Sequence, residues 1–230
     1  RQRQMCIRDR YNYLGNLGSP RLSRLFFDRR DASQFFFTDP YDLTVLRPED
    51  IIFTNTLSPF TNLSYYKTFD SRNGEERFKS YFAINANKRF GVGFYIDYLY
   101  GRGLYASQST AFFNGGLFAS YRGDKYNMHF IFNNDNLKMA ENGGIADDRY
   151  ITNPLDMAEG KKEYKSYDIP TNLNKVWNHN TSYHVFMTQR YNLGFHKEKT
   201  DSVTKDSVRI IQEFVPVTSF IHTCLLYTSD

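Results

Sequence analysis

Charge placed at alternate positions is the most readable chemistry in this chain. Lys79, Arg89, Asp97, Arg122 and Arg190 each lie on the polar side of an alternating apolar–polar run. Charged side chains gathered at a constriction set the ion preference of a pore. The plainer reading is that they hydrate or cross-brace an inner wall. Other chemistry finds less support. His129, His184, His196 and His222 fall in strand-like runs, and spacing alone does not converge them on a metal. Glu141, Asp147, Asp148 and Asp156 share a polar stretch, but not at the alternate positions of an EF-hand calcium loop. No Gly-x-Ser-x-Gly, His-Glu-x-x-His or Gly-Lys-Ser/Thr signature occurs. No catalytic residue, metal ligand or cofactor is therefore assigned, and the chain is read as a non-enzyme.

The elements that carry these residues have period two. From Arg89 to Gly103, the even positions Phe90, Val92, Phe94, Ile96, Tyr98 and Tyr100 are apolar or aromatic. The odd positions are Arg89, Gly91, Gly93, Tyr95, Asp97, Leu99 and Gly101, largely small or polar. Successive side chains of a strand point to opposite faces, so the run has an apolar face and a polar face. Tyr126, Met128, Phe130 and Phe132 alternate in the same way with Asn127, His129 and Asn133. Strands are expected near 60–69, 76–87, 89–103, 110–122, 125–138, 181–196 and 208–222. Tight turns fall at Asn87-Lys88 and Gly123-Asp124. Residues 104–109 make a modest loop, 139–180 a long polar loop and 197–207 a charged linker. Residues 11–59, with Pro20, Pro40, Pro48 and Pro59, read as an irregular N-terminal segment.

Composition narrows the classes. The 230 residues carry a net charge of +4, too small and scattered to indicate a nucleic-acid partner. With 21 Phe and 18 Tyr the chain is too aromatic for disorder. Mean hydropathy is -0.60 and the sequence has no apolar run long enough for a membrane helix.

The two ends stand apart. Cys224-Leu225-Leu226-Tyr227-Thr228-Ser229-Asp230 can be encoded by TGT CTC TTA TAC ACA TCT GAC. Its reverse complement, read behind an added C, gives CGT CAG ATG TGT ATA AGA GAC. Those codons encode Arg3-Gln4-Met5-Cys6-Ile7-Arg8-Asp9. Both ends thus read as one DNA string on opposite strands, similar to a transposase adapter of sequencing libraries. Residues 1–10 and 224–230 are taken as adapter-derived and are expected to follow no strand pattern. Both cysteines, Cys6 and Cys224, lie in them. Residues 60–223 are left as the folded part, an incomplete antiparallel sheet of about seven strands.

Three features favour a transmembrane β-barrel. The expected strands are long compared with those of soluble domains and long enough to cross a membrane at a tilt. Tyr65, Tyr98, Tyr100, Tyr126 and Tyr183 lie toward strand ends, where a phenol suits a membrane interface. Tight turns alternate with longer loops. On this reading Phe90, Val92, Phe94, Ile96, Met128 and Phe130 face lipid, and the small residues Gly91 and Gly93 leave room for solvent or an inserted segment. A closed barrel satisfies every backbone group within hydrocarbon. A soluble β-sandwich or β-solenoid fits the alternation equally well.

Five separated motifs add a resemblance. They are Tyr13-Leu14-Gly15-Asn16-Leu17-Gly18-Ser19-Pro20, Ala83-Ile84-Asn85-Ala86-Asn87-Lys88-Arg89-Phe90, Glu141-Asn142-Gly143-Gly144-Ile145, Asp147-Asp148-Arg149-Tyr150-Ile151-Thr152-Asn153-Pro154 and Phe214-Val215-Pro216-Val217-Thr218-Ser219-Phe220-Ile221-His222-Thr223. In that order they resemble the putative porin family of Bacteroidetes-type bacteria. The resemblance implies a β-barrel of the bacterial outer membrane, with lipid and small solutes as its partners. It implies a channel for passive diffusion, with further strands beyond Thr223. A structural or binding barrel with a plugged lumen, or a soluble β-sheet protein, are the rivals. Oligomeric state is left open. The tight turns are expected on the periplasmic edge and the long loop outside the cell.

Overall fold

Period-two alternation becomes a single antiparallel meander in the computed structural model, which describes residues 11–13, 16–29, 36–69, 74–157, 165–204 and 207–229. A short pair, β1 (Tyr11–Tyr13) and β2 (Arg21–Ser23), precedes it. The sheet then runs β3 (Phe60–Lys67), β4 (Glu75–Asn85), β5 (Phe90–Arg102), β6 (Ser109–Arg122), β7 (Tyr126–Glu141), β8 (Val176–Thr204) and β9 (Ser207–Ser229). Each strand pairs with its sequence neighbours, in the order β3-β4-β5-β6-β7-β8-β9, and the outer strands do not close on each other. The fold is all-β, as expected of an incomplete barrel.

The local chemistry explains the turns. Asn87 Oδ1 accepts hydrogen bonds from the backbone N–H of Arg89 and of Phe90, both at 2.8 Å. A side chain thus caps the β4–β5 turn in place of backbone. At the β6–β7 turn the Gly123 N–H donates to the Tyr126 carbonyl at 2.8 Å. The long β7–β8 connection begins with Gly143 and Gly144 at φ +64° and +86°, which glycine adopts without strain. Asn172 pins that connection, donating from Nδ2 to the carbonyls of Gly143 (3.0 Å) and Ile145 (3.3 Å).

Three expectations need correction. The charged residues 197–204 are strand, because β8 continues to Thr204 with β9 as its partner. Backbone ladders do not need apolar side chains, so a charged stretch beside a paired neighbour stays extended. The long loop is shorter than 139–180 at both ends, since β7 reaches Glu141 and β8 starts at Val176. Cys224–Ser229 do not stand free of the sheet: Cys224 pairs with Met187 and Ser229 with Ser182. Residues 1–10 lie outside the described residues. The described part of residues 11–59 is largely irregular in secondary structure and holds a defined position.

That segment lies across the sheet. Tyr41 packs with Leu99, Phe112 and Leu137, joined by Leu17, Val45 and Met139. Leu46, Ile51 and Phe53 pack against Ala83, Tyr95, Phe118 and Ile131. The covered side chains are the odd positions of β5 and β7 with their cross-strand partners in β6. Burial follows the same period, with Gly93, Tyr95, Asp97, Leu99 and Gly101 buried along β5. The core of the molecule therefore sits between the N-terminal segment and what the sequence marks as the polar face.

Candidate functional site

All the sequence-selected charges belong to the covered face by register. Lys79 lies opposite Asp97, Arg122 opposite Asn127, and Asn127 opposite Arg190. They divide into two groups along that face.

Toward the loop edge, charges are paired. Asp97 accepts from Arg77 through both oxygens, at 2.9 Å from Nε and 2.6 Å from Nη2. Lys79 Nζ lies 3.7 Å from the same carboxylate. Two parallel N–H···O bonds hold a guanidinium and a carboxylate in one plane. Asp135, fully buried, accepts from Asn133 Nδ2 at 2.9 Å and lies 3.6 Å from His184 Nε2. Asn133 also donates to the Leu46 carbonyl (2.8 Å) and accepts from the Tyr95 hydroxyl. Arg77, Tyr95, Asn133 and Asp135 were not among the selected charges. The same alternation reaches them, since Arg77 precedes Lys79 by two and Asp135 follows Asn133 by two.

Toward the tight-turn edge the balance changes. Arg89 Nη2 pairs with Asp124 at 3.0 Å, both groups exposed. Lys88, Arg89, Arg122 and Arg190 line a recess of about 410 Å³ with His129 and Phe53, and no carboxylate contributes to its wall. The His129 ring meets Phe53 edge-on at 5.1 Å between centroids.

Hydrogen bonds bind the N-terminal segment to this face. Strand side chains reach its backbone carbonyls: Asn114 to Thr44, Thr110 to Leu17 (2.6 Å), Tyr81 to Ile52 (2.6 Å) and Asn85 to Thr56 (2.9 Å). The Leu17 N–H donates to Glu75 at 2.9 Å. Within the segment Arg21 grips Asp42 at 2.6 and 2.9 Å, and this hydrogen-bonded carboxylate raises the guanidinium above its ordinary pKa. Burial pushes the Tyr41 phenol up.

Glycines on this face are spoken for. A Cβ on Gly93 would overlap the ring of its cross-strand partner Phe118 and the Phe82 carbonyl. A Cβ on Gly116 would fall 2.6 Å from its partner Tyr95. Rings folded over opposite glycines fill the wall. The expected solvent space at Gly93 is taken by Phe118, while Gly101 does meet an inserted residue, Leu17.

The opposite face carries Phe90, Val92, Phe94, Ile96, Met128 and Phe130, together with Tyr65, Tyr98, Tyr100, Tyr126 and Tyr183. Nothing in the described chain covers it: Leu117 is 55% exposed, Phe113 41% and Phe94 37%. Phe82 stacks on Phe94 at 5.4 Å along this surface.

In the β7–β8 connection, Arg149 pairs with Asp147 at 2.6 Å and holds that carboxyl below the usual carboxylate range. The other acidic residues of the stretch do not join it, for Glu141 accepts from Asn178 at 3.2 Å. Among the described residues no three His, Cys, Asp or Glu side chains are placed to hold a metal ion.

A family model described as "Putative porin" matches residues 7–229. No curated protein and no solved structure matches the chain.

Proposed function

The chain belongs to the putative porin family, and from that premise we propose that it acts as an outer-membrane channel for passive diffusion of small solutes. The observation that carries this reading is the apolar face of β4–β7. A surface mainly of Phe, Val, Ile, Leu, Met, Ala and Tyr, interrupted by Ser80, Asn134, Asn136 and Lys138 and left uncovered by the described chain, is foreign to water and suited to hydrocarbon. The opposite face mixes polar side chains, Asp97, Asn114, Asn133 and Asp135, with the apolar Leu99, Phe112, Phe118 and Ile131 that the N-terminal segment covers. Lipid then meets Phe90, Val92, Phe94, Ile96, Met128 and Phe130. Tyr65, Tyr98, Tyr100, Tyr126 and Tyr183 mark the interfaces. The tight turns face the periplasm and the β7–β8 connection the exterior.

Packing of residues 16–29 and 36–56 on the covered face favours a second reading, a lumen narrowed or plugged by the N-terminal segment. Planar-bilayer recording of the full-length protein separates the two. Discrete conductance steps, with liposome swelling in neutral sugars, are expected of the open channel. A protein that inserts and stays silent is a plugged barrel. A chain that folds in water without detergent overturns both. Protease added to intact cells should cut within 142–175; cleavage only after permeabilisation reverses the orientation.

A further inference from the structure

The recess at the tight-turn edge has a composition that the rest of the covered face lacks. Lys88, Arg89, Arg122 and Arg190 arrive from the β4–β5 turn and from β6 and β8, and the N-terminal segment roofs them with Phe53. Among the described residues only Arg89 of these has an ion-pair partner, Asp124, which lies outside the wall. Arg122 and Arg190 make no ion pair among the described residues. The neighbouring recess near the loop edge, about 270 Å³, differs in sign: Arg77 and Lys79 share it with Asp50 and Asp97. There the cations are already neutralised.

We propose that the tight-turn recess is an anion site, and that it makes this channel prefer small carboxylate- or phosphate-bearing solutes over cations. The proposal rests on the channel reading above. Its physics is simple. Like charges held at a narrow opening with low-dielectric walls concentrate counter-ions there, commonly by tenfold or more. A guanidinium offers paired N–H donors that match the two oxygens of a carboxylate or phosphate. Asn127 adds an uncharged amide to the same wall. The volume exceeds that of an inorganic phosphate and leaves room for a small organic acid. Further along the face an anion would meet Arg77 and Lys79 in a wall that also holds Asp97 and Asp50, two charges of each sign, so the selection is made at the recess.

The test is the reversal potential of the full-length protein across a potassium chloride gradient, with an Arg122→Glu/Arg190→Glu double variant. Wild type should pass chloride in preference to potassium. The double variant should lower the anion-to-cation permeability ratio by roughly tenfold. Arg149→Glu in the β7–β8 connection is the control for a charge reversal outside the recess and should leave the ratio unchanged. Inorganic phosphate should block wild-type current and not that of the double variant. A conducting wild type that prefers potassium, or a ratio unmoved by the double variant, overturns the proposal while the channel stands. If the folded barrel is silent, the channel reading fails instead. Calorimetry with inorganic phosphate on the detergent-folded protein then decides the site. Binding lost in Arg122→Ala/Arg190→Ala sustains it, and no binding to wild type rejects it. Circular dichroism of each variant checks that the sheet is intact.

Discussion

Gly93 and Phe94 are neighbours in β5, yet they belong to opposite surroundings. Gly93 lies under the Phe118 ring, within a core roofed by Phe53. Phe94 stands on an open apolar surface beside Phe82. The first position is governed by shape, since any added atom displaces a packed ring. The second is governed by solvent, since a side chain of any size fits and only its polarity matters. The comparison teaches that the polar face of a barrel wall can be the more tightly packed one, when a segment of the same chain lies on it.

The largest expected effect probes shape. Phe118→Ala removes a ring that is 3% exposed and touches both sheet and N-terminal segment, and should cost about 3–5 kcal/mol in reversible folding into liposomes. A cost below about 1 kcal/mol would break the comparison from the covered side. Next comes solvent. Phe94→Arg, on the face assigned to lipid, should cost about 2–4 kcal/mol near mid-membrane. A negligible cost would mean that no hydrocarbon is there. Gly93→Ala sharpens the contrast, because a methyl group alone should cost about 1–3 kcal/mol by overpacking against Phe118, whereas Phe94→Leu should be nearly silent.

A smaller effect separates polar anchoring from apolar packing. Asn133→Ala leaves the Leu46 carbonyl without its donor and the Tyr95 hydroxyl without its acceptor; about 1–3 kcal/mol should be lost. Hydrogen exchange should increase across 44–54 rather than across β7. The smallest effect lies in the β7–β8 connection. Arg149→Ala should return the Asp147 carboxyl from its lowered value toward the ordinary range, read by NMR titration. A depressed carboxylate favours the ordered loop above the unfolded-state pKa, and that contribution fades as pH falls through the folded one. Both groups are exposed, so global stability should not change.

Much of this was legible before any coordinates. The strands β4 to β7 follow from strict alternation between turn-forming residues, and their limits shift by no more than three residues. The face assignment of Lys79, Arg89, Asp97, Arg122 and Arg190 follows from parity alone, because a period of two leaves no intermediate position. The ends of β8 and β9 were not legible. Lys197, Glu198 and Asp201 look like a linker, while their extended state depends on a partner strand that local composition does not encode. The N-terminal segment was the deepest omission. Its prolines and short turns signal irregularity correctly, but its place on the sheet depends on contacts far along the chain, and no periodicity records those.

That distance orders events in time. Apart from β7 and β8, neighbouring strands of the meander meet across short connections, whereas the roofing segment joins partners 29 to 98 residues away, from Ile52 with Tyr81 to Tyr41 with Met139. Closing so long a loop costs entropy that only an assembled sheet can offset. Residues 16–29 and 36–56 thus precede the sheet in the chain and are seated after it. In the interval Tyr41, Leu46, Ile51 and Phe53 have no shelter, and the Arg21–Asp42 and Arg47–Asp39 pairs beside them supply charge that keeps the waiting segment soluble. Slow seating should be visible as a late kinetic phase, after strand formation is complete, that vanishes when the segment is removed.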